Sequence, residues 1–385
     1  MSHLFPTYKR WEVEPVTASG TVVTDKEGRE YLDFTSGIGV CNLGHRPKNV
    51  EEAIVDQLGR FWHVSNLFEQ GIQEQAAKLL AEAAALDLVF FANSGAEANE
   101  AAIKLAKKAT GKSKIITFNQ SFHGRTFGAM AATGQEKIKQ GFGPMLKEFV
   151  HLPFNDLKAF ENEIEKDTAA VMLEIVQGEG GIHIAGQEFL HSIEKACKKY
   201  GALLIIDEIQ TGIGRTAKPF AYQHFGIKPD IVTVAKGLGS GLPIGAVIGK
   251  SGLGEFFGAG SHGSTFGGNP VSVAAAIATM ESVFQEDFLS EVTEKGVYMT
   301  QLAEKNLAGL ESVNEIRGLG MMVGIEMNID IQPILKKLRD KNLLVLPAGE
   351  NVIRLLPPLT VSKEEIVKAI EILKETIKLH SVTAV

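Results

Sequence analysis

The stretch DIVTVAKGLGSG, residues 230–241, joins a short apolar run to a lysine and then to a group of glycines. The run from Ile231 to Ala235 is apolar apart from Thr233, as expected of a strand that is buried on both faces. A lysine at the end of such a strand is costly to bury unless its amine is paired or used chemically. The glycines that follow allow the backbone and a bulky group to approach each other closely. Lys236 is therefore a candidate functional residue.

Similar short apolar runs alternate with helical patterns over the first two thirds of the chain. We predict strands at 86–92, 114–118, 169–175, 202–206 and 231–235, and helices at 69–84, 95–110, 157–165 and 187–200. Short, fully apolar strands separated by helices indicate a mostly parallel sheet with helices on both faces. The sequence therefore predicts an α/β fold.

The pattern changes near residue 270, where longer helical segments surround less regular apolar runs. We predict helices at 271–285, 288–308 and 363–379, and strands at 322–327, 343–347 and 352–356. A hairpin at 21–34, with its turn near Asp25–Gly28, is predicted close to the start of the chain. These features suggest a large domain over 41–270, a smaller α+β domain over 271–385, and an N-terminal segment, 1–40, that packs with the smaller domain.

Composition excludes several classes of function. The chain has 385 residues and a net charge of −7, without a basic stripe, so nucleic acid is not an expected partner. No apolar run has the ~20 residues that a membrane helix needs, and the start has no apolar core typical of a secretory signal. Cys41 and Cys197 are the two cysteines, and the ten histidines are scattered. We therefore expect no metal site and a location in the reducing cytoplasm.

The stretch NSGAEANEAAIKLAKKATG, residues 93–111, predicts a helix with a well-defined start. Ser94 and Glu97 have the spacing of a capping box, so the helix should begin at Gly95. The small residues Gly95 and Ala96 leave free backbone N–H groups at the positive end of the helix dipole, where a phosphate can bind. Taken alone, the stretch is better explained as a capped helix that binds nothing.

An acidic residue, Asp207, follows the predicted strand 202–206 directly. Carboxyl ends of parallel strands are where open α/β sheets bind ligands, so Asp207 and Lys236 would reach one crevice if their strands are neighbours. The two residues by themselves could form an ordinary buried ion pair. Together with a phosphate-binding helix start, however, they match the needs of pyridoxal phosphate: a carboxylate for the ring nitrogen, a lysine for the aldehyde and N–H groups for the phosphate.

Further motifs are spread over nearly the whole chain: DFTSGIGVCNLGH (33–45), NSGAEANEAAIKLA (93–106), SFHGRT (121–126), EIVQGEGG (174–181), LLIIDEIQTGIGRT (203–216), TVAKGLGSGLPIGA (233–246), HGSTFGGNP (262–270) and IRLLPP (353–358). In type and order they resemble the class III (subgroup II) aminotransferases of fold type I, most closely the bacterial ones that act on acetylornithine. The resemblance implies the fold type I architecture, with 41–270 as the domain that binds pyridoxal phosphate.

The resemblance also implies roles at the cofactor. Lys236 would bind the cofactor aldehyde and then move the proton during catalysis, and Asp207 would keep the ring nitrogen protonated. The remaining cofactor contacts would come from Ser94, Gly95 and Ala96 at the phosphate, Phe122 and Ile209 on the two ring faces, Gln210 near the ring 3-oxygen, and Thr265 at the phosphate of the partner subunit's cofactor. The family thus implies a homodimer with shared active sites. Without the joint pattern, Phe122 would be interpreted as a core residue and Thr265 as a turn residue.

Two arginines are expected to bind substrate carboxylates. By resemblance Arg125 takes the α-carboxylate of the amine donor, and Arg354 takes the α-carboxylate of glutamate. Glu179 would pair with Arg354 while the amine donor is bound and move aside for glutamate, and Ser264 would lie close to the substrate. As isolated residues, Glu179 and Arg354 would be interpreted as solvated surface charges.

The reaction implied is a two-step exchange between small molecules, an amino acid and a 2-oxo acid. N2-acetyl-L-ornithine would give its δ-amino group to the cofactor, and 2-oxoglutarate would then take it and leave as L-glutamate, a step of arginine biosynthesis. Enzymes of this group that act on free ornithine have a tyrosine where this chain has Ile38, which favours an acylated donor. Ornithine, 4-aminobutyrate and N-succinyl-diaminopimelate remain alternatives.

Two other classes of protein are weighed against this one. GIGRT and GLGSG are glycine-rich, but neither forms the G-x-G-x-x-G pattern of a dinucleotide site after a strand, and no Walker A sequence is present. A ligand-binding protein without activity on the same fold would be expected to lack Lys236 or Asp207. Both residues are present, so an enzyme is favoured.

Overall fold

The computed structural model describes residues 3–383. Its helices are α1 Ser36–Gly39, α2 Lys48–Leu58, α3 Gly71–Ala84, α4 Gly95–Thr110, α5 Phe127–Ala132, α6 Glu136–Lys139, α7 Leu157–Glu163, α8 Gln187–Tyr200, α9 Pro270–Val283, α10 Glu286–Leu307, α11 Gln332–Asp340 and α12 Lys363–Thr383. Short 3₁₀ turns occur at Ala221–His224, Lys236–Gly239 and Ser251–Leu253. None of the helices within residues 3–383 has both the length and the apolar character needed to cross a membrane.

The strands form three larger sheets and one short hairpin. They are β1 Pro15–Ser19, β2 Val22–Asp25, β3 Glu30–Asp33, β4 Leu88–Ala92, β5 Lys114–Phe118, β6 Phe149–Leu152, β7 Thr168–Glu174, β8 Val176–Gln177, β9 His183–Ile184, β10 Leu203–Asp207, β11 Ile231–Val234, β12 Gly245–Gly249, β13 Val313–Leu319, β14 Met322–Met327, β15 Leu343–Leu344, β16 Leu346–Ala348 and β17 Val352–Leu355. The predicted strands and helices are found with ends shifted by a few residues, except that the single strand predicted at 343–347 is two strands, β15 and β16, which belong to different sheets.

The large sheet has the strand order β4-β12-β11-β10-β7-β5-β6. Its neighbours are parallel except at β12, which runs antiparallel to both β11 and β4. The prediction of a mostly parallel sheet is confirmed, although β12, like the edge strand β6, was not predicted. The connection over residues 235–244 explains its direction, because a parallel return needs a crossover of a dozen or more residues.

Alternate residues of the central strands pack on opposite faces of this sheet, as the period of a strand requires. Ile205 and Ile231 belong to a core shared with the buried alanines of α4, whereas Ile206 and Val232 belong to the core beneath α8. Burial on both faces explains why these strands are apolar runs without alternation.

Two smaller sheets flank the large one. The C-terminal sheet, β13-β14-β17-β16, is antiparallel throughout. The N-terminal sheet, β1-β2-β3-β15, contains the predicted hairpin as β2 and β3. Its fourth strand, β15, lies parallel to β3, with Leu343 opposite Leu32. The first strands of the chain are therefore hydrogen-bonded to a strand near its C-terminal end.

Candidate active site

The carboxyl ends of β10 and β11 carry the two residues that the sequence singled out first. The strands are parallel neighbours, with Asp207 opposite Thr233. Asp207 is the last residue of β10, and Lys236 begins the 3₁₀ turn that follows β11. Both side chains line a cavity of about 400 Å³. The adjacency on which the sequence argument depended is therefore present.

The Lys236 amine has no hydrogen-bond or ion-pair partner among the described residues. Desolvation lowers the pKa of this amine from its ordinary value, and the charge of Arg354 acts in the same direction while that of Glu179 opposes it. A lysine with a lowered pKa has a larger fraction of neutral, nucleophilic amine. The cavity thus holds an amine that is free to react with a carbonyl group.

Two buried side chains hold the Asp207 carboxylate. Nδ1 of His123 lies 2.7 Å from Asp207 Oδ2, and Asn99 Nδ2 donates to the same oxygen at 2.8 Å. The backbone N–H of Ile209 donates to Oδ1 at 3.0 Å. Asn99 is itself fixed, because Thr233 Oγ1 donates to its Oδ1 at 2.7 Å. The carboxylate is therefore oriented from three sides by groups of the protein.

Sequence reasoning missed His123 and Asn99. Both lie within quoted motifs, SFHGRT and NSGAEANEAA, but neither residue type suggested a contact with Asp207. Nε2 of His123 is buried and has no partner among the described residues. Asn99 lies one turn beyond the start of α4, on the face that packs on the sheet. The sequence offered one sign of the contact between Asn99 and Asp207: a polar amide at a helix position that faces the sheet, where a buried polar group needs a hydrogen-bond partner.

The start of α4 opens onto the same cavity. The helix begins at Gly95 as predicted, and Ser94 Oγ accepts from the Glu97 N–H at 3.2 Å. The reciprocal half of the predicted capping box differs, because the Glu97 carboxylate accepts from the Asn93 N–H at 2.8 Å instead of from that of Ser94. N–H groups in the first turn of a helix have no acceptor within the helix. Gly95 and Ala96, which line the cavity, therefore present donors to an anion.

Ile209 lies against this helix start. A Cβ atom at Gly95 would be 2.7 Å from Ile209 Cδ1, so a glycine is required for the close approach. Phe122 also lines the cavity, and its backbone N–H donates to Glu174 Oε2 at 3.1 Å. The two apolar side chains predicted for the faces of a ring thus both reach the cavity.

Glu174 is a second acidic residue that sequence reasoning missed. It stands opposite Asp207 in the register of β7 and β10, and it lines the cavity. Burial, followed by repulsion from Asp207, raises the pKa of Glu174 well above its ordinary value. Two neighbouring buried carboxyl groups cannot both ionise at low cost. The Glu174 carboxyl group therefore holds its proton to higher pH than an ordinary glutamate does.

Glu179 and Arg354 form an ion pair at the edge of the cavity. Arg354 Nη1 lies 2.7 Å from Glu179 Oε1, and the arginine side chain is 2% exposed. Burial acts to raise the pKa of Glu179, but the charge and hydrogen bond of Arg354 outweigh it, so this pKa is lowered. Arg354 Nη1 also donates to the Gly178 carbonyl at 2.9 Å and to Gln210 Oε1 at 3.0 Å. The amide of Gln210 is thus engaged by the ion pair.

The remaining predicted residues lie farther out. Arg125 is exposed at the wall of the cavity, with its guanidinium carbon 5.7 Å from the centre of the Phe122 ring. Ser264 Oγ accepts from Asn93 Nδ2 at 3.0 Å. Thr265 is exposed. Neither Ser264 nor Thr265 lines the cavity as residues 3–383 form it.

An apolar surface lies around the loop that carries Ser264 and Thr265. Its exposed side chains are Trp62, Leu67, Phe68 and Phe266. The segments 61–68 and 264–269 are joined directly, since Asn66 Nδ2 donates to the carbonyls of Ser264 at 3.1 Å and Gly267 at 2.9 Å. Large exposed apolar patches mark interaction sites.

The residues present fit pyridoxal phosphate. The cavity combines an unpaired amine at Lys236, free N–H donors at Gly95 and Ala96, and a carboxylate at Asp207 whose orientation is fixed. These are the three groups that the aldehyde, the phosphate and the ring nitrogen of this cofactor require. No cluster of three or more His, Cys, Asp or Glu side chains suited to a metal ion occurs within residues 3–383.

Comparison with known families gives one match over almost the whole chain. The family described as "Aminotransferase class-III" matches residues 7–377. Acetylornithine aminotransferase of Bacillus subtilis (strain 168) is 60% identical over 382 residues, covering 99% of each chain. The enzyme of the same name from Listeria monocytogenes serovar 1/2a is 56% identical, covering 98% of each chain.

Solved structures agree in fold at lower identity. Ornithine aminotransferase of Toxoplasma gondii ME49 superposes with a TM-score of 0.95 at 30% identity, covering 99% of this chain and 94% of the other. N-acetylornithine aminotransferase of Stenotrophomonas maltophilia K279a has a TM-score of 0.86 at 33% identity and covers 98% of each chain. A second Toxoplasma gondii structure is described as having partial occupancy of pyridoxal phosphate at its active site.

Proposed function

Because the chain belongs to the class III aminotransferase family, we propose that it transfers the δ-amino group of N2-acetyl-L-ornithine to 2-oxoglutarate. The products are N-acetyl-L-glutamate 5-semialdehyde and L-glutamate, and the reaction is reversible. The full-length identity to acetylornithine aminotransferases supports this assignment. The observation that carries it in the structure is the unpaired Lys236 amine, which shares one cavity with Asp207 and Glu179.

The cofactor is pyridoxal phosphate, which supplies an aldehyde that accepts an amino group and a ring that withdraws electrons. The start of α4 would hold its phosphate through the N–H groups of Gly95 and Ala96, with Ser94 as the cap. Phe122 and Ile209 would contact the two ring faces. The Asp207 carboxylate would stabilise a proton on the ring nitrogen, since Asn99 and His123 keep it oriented.

Lys236 would act as both the attachment point and the proton carrier. Its lowered pKa favours the neutral amine, which can attack an aldehyde and, once released, accept a proton at Nζ. The same nitrogen, Lys236 Nζ, would then return the proton to the carbon of the cofactor aldehyde. The amine has no protein partner within the described chain, so no hydrogen bond or ion pair opposes its movement toward the reacting groups.

The ion pair of Glu179 with Arg354 would let one pocket accept two different substrates. Neutralised by Glu179, Arg354 does not attract the α-carboxylate of the amine donor, which remains for Arg125. When 2-oxoglutarate enters, Glu179 would move aside, and Arg354 would bind the α-carboxylate of the incoming acid. Gln210 already bridges both partners, with Nε2 3.3 Å from Glu179 Oε1.

A homodimer would complete the site. Thr265 is exposed and lies outside the cavity of its own chain, within the loop that borders the apolar surface defined above. A second copy placed on that surface would bury it and bring Thr265 to the partner's cofactor phosphate, with Ser264 close to the substrate.

The same proposal includes a location in the cytoplasm and the division into 1–40, 41–270 and 271–385. Pairing of β15 with β3 supports the packing of the first segment on the last.

The amine donor is tested by single half-reactions followed by absorbance. The purified protein, loaded with pyridoxal phosphate, is mixed separately with N-acetylornithine, ornithine and 4-aminobutyrate, without a 2-oxo acid. Rapid conversion of the aldehyde form of the cofactor to its amine form with N-acetylornithine, and slower conversion with the others, supports the proposal. Faster conversion with another amine would move the substrate assignment to that amine. No conversion with any of them would reject the aminotransferase mechanism.

A further inference from the structure

Arg317, on β13 of the C-terminal sheet, binds the backbone of the turn that carries Glu179. Its Nη2 donates to the Gly181 carbonyl at 2.7 Å, and its Nε lies 3.1 Å from the Gly181 carbonyl and 3.2 Å from that of Ile182. The third guanidinium nitrogen, Nη1, is paired with Glu326 at 2.6 Å and Glu315 at 2.5 Å. The Arg317 side chain is 11% exposed and the Gly181 and Ile182 residues that it binds are buried, whereas Glu315 is 59% exposed.

The turn itself, residues 178–182, joins the two strands of the short hairpin β8–β9. Its backbone has two positive φ angles, +121° at Gly181 and +60° at Ile182. It also lies close to its neighbours, since a Cβ at Gly180 would be 2.7 Å from the Gln120 carbonyl oxygen. A β-branched residue with positive φ is strained. Such a backbone persists only where its surroundings hold it in place.

The C-terminal sheet holds this turn at three points. Arg354 of β17 contacts its first half through the Gly178 carbonyl and the Glu179 carboxylate. The N–H of Gly349, between β16 and β17, donates to the Glu179 carbonyl at 2.8 Å. Arg317 contacts its second half. When the Glu179 carboxylate leaves Arg354, the contacts made by Gly349 and Arg317 involve the backbone and can remain.

We propose that Arg317 is a positioning residue that anchors the 178–182 turn and so returns the Glu179 carboxylate to Arg354 after each 2-oxo acid has been processed. This inference rests on the proposed function, because it assumes that the ion pair opens and closes between half-reactions. Arg317 does not line the cavity that holds Lys236 and Asp207. It acts through the carbonyl groups of Gly181 and Ile182. If these carbonyls lost their charged donor, the turn could adopt other conformations.

The expected consequence is selective. With a loosened turn, Arg354 spends more time without its counter-charge and attracts the α-carboxylate of the amine donor to the wrong place. The half-reaction with N-acetylornithine should therefore lose about 10-fold in kcat/KM when Arg317 becomes Gln, comparable to losing one charged hydrogen bond. The half-reaction with glutamate, which needs the pair open, should change less than about twofold.

The test compares Arg317→Gln, Arg317→Lys and the control Arg46→Gln. Arg46 also forms an ion pair, with Glu51, but it is on the surface and its side chain is 66% exposed. Lysine keeps the charge but cannot reproduce the fork that reaches both carbonyls, so Arg317→Lys should lie between the wild type and Arg317→Gln. Both half-reactions are measured for every protein, and hydrogen–deuterium exchange of the 178–184 segment is measured without substrate.

Faster exchange of 178–184 in Arg317→Gln, with β5 unchanged, together with a shifted ratio of the two half-reactions supports the proposal. An equal loss in both half-reactions, no change in either, or unchanged exchange would overturn it. The exchange measurement needs no substrate, so it decides on the anchor even if wild-type protein fails to react with N-acetylornithine. That failure, by contrast, would reject the proposed function.

Discussion

Nδ1 of His123 lies 2.7 Å from Oδ2 of Asp207, and both side chains are almost completely buried. Asn99 shares the same oxygen and also donates to the His123 carbonyl at 2.7 Å. A carboxylate at the end of a parallel strand would otherwise be free to rotate toward the cavity in several ways. The two neighbours select one orientation for this carboxylate at the wall of the cavity.

We expect Asn99→Ala to weaken cofactor binding and to lower kcat about 10-fold, because Asp207 loses a donor and Thr233 loses its acceptor. Cofactor retained after dialysis and the steady-state rate measure the two effects. Thr233→Val is the matched control, since it removes only the bond that holds Asn99. It should change both quantities in the same direction but less. Equal effects from the two variants would show that the direct bond from Asn99 to Asp207 adds nothing beyond the contact between Thr233 and Asn99.

Lys236→Ala should lower turnover by at least about 1,000-fold, because the variant loses both the nucleophilic amine and the proton carrier. Borohydride reduction followed by mass spectrometry should show covalent cofactor on the wild type and none on the variant. Lys199→Ala, which removes an exposed lysine, serves as the control and should behave as the wild type. Covalent attachment that survives in Lys236→Ala would assign the attachment to another lysine.

Arg354→Gln should raise the KM for 2-oxoglutarate about 100-fold, since it removes one partner of a buried charge pair. The half-reaction with N-acetylornithine should stay within about threefold of the wild type. The single variant leaves Glu179 without its cation, so repulsion by this carboxylate contributes to the effect. The double variant Arg354→Gln/Glu179→Gln removes that repulsion. A normal KM in the double variant would contradict direct binding by Arg354.

Ile38→Tyr should shift donor preference toward free ornithine, because a hydroxyl at this position, two residues before the cavity-lining Val40, would bind the α-amino group that an acyl group otherwise blocks. Ile38 is 45% exposed and has φ +69°, which is unfavourable for a β-branched residue, so tyrosine should not destabilise the loop. The ratio of kcat/KM for ornithine to that for N-acetylornithine is the measurement. Ile38→Phe separates the hydroxyl from ring size. Equal ratios for Tyr and Phe would exclude a role for the hydroxyl.

His45 should make the stability of the protein depend on pH in the alkaline range. Its hydrogen bond with Asp33, at 2.8 Å, and then that with Cys41 raise the pKa of His45 to about 10. The unfolded chain has a histidine pKa of about 6.5. The folded state therefore binds the proton more tightly, and its stabilisation is fully present below about pH 6.5 and lost as pH rises toward about 10.

Urea unfolding at pH 6, 8 and 10 measures this dependence. The midpoint should fall with pH in the wild type and fall less in His45→Gln, which keeps a polar group but cannot titrate. The variant should differ most from the wild type at pH 6. Parallel curves for the two proteins would show that other groups cause the alkaline loss.

Much of the large sheet was predictable, because its strands are fully apolar and short and its helices have local start signals. Ser94 and Glu97 marked the start of α4 to the residue. The strand β12 was not predicted, since GAVIG has a composition that fits a loop or a strand equally well. Its place depends on pairing with β11 and β4, two segments that are far apart in the chain.

The sequence by itself determined the chemical groups of the candidate site and their place on the elements. Lys236 follows one apolar strand, Asp207 ends another, and α4 begins at small residues. Each of these features is encoded within a few neighbouring residues, because burial pattern and capping act over that range. Resemblance to a family then attached roles to them.

Only the tertiary structure decided which side chains meet. Asn99 and His123 reach Asp207 because α4 lies over the large sheet, and Arg354 and Arg317 reach the Glu179 turn because the C-terminal sheet is packed against it. These contacts join residues more than a hundred positions apart or on separate elements. No local pattern records them, since they depend on strand order and on how whole sheets pack together.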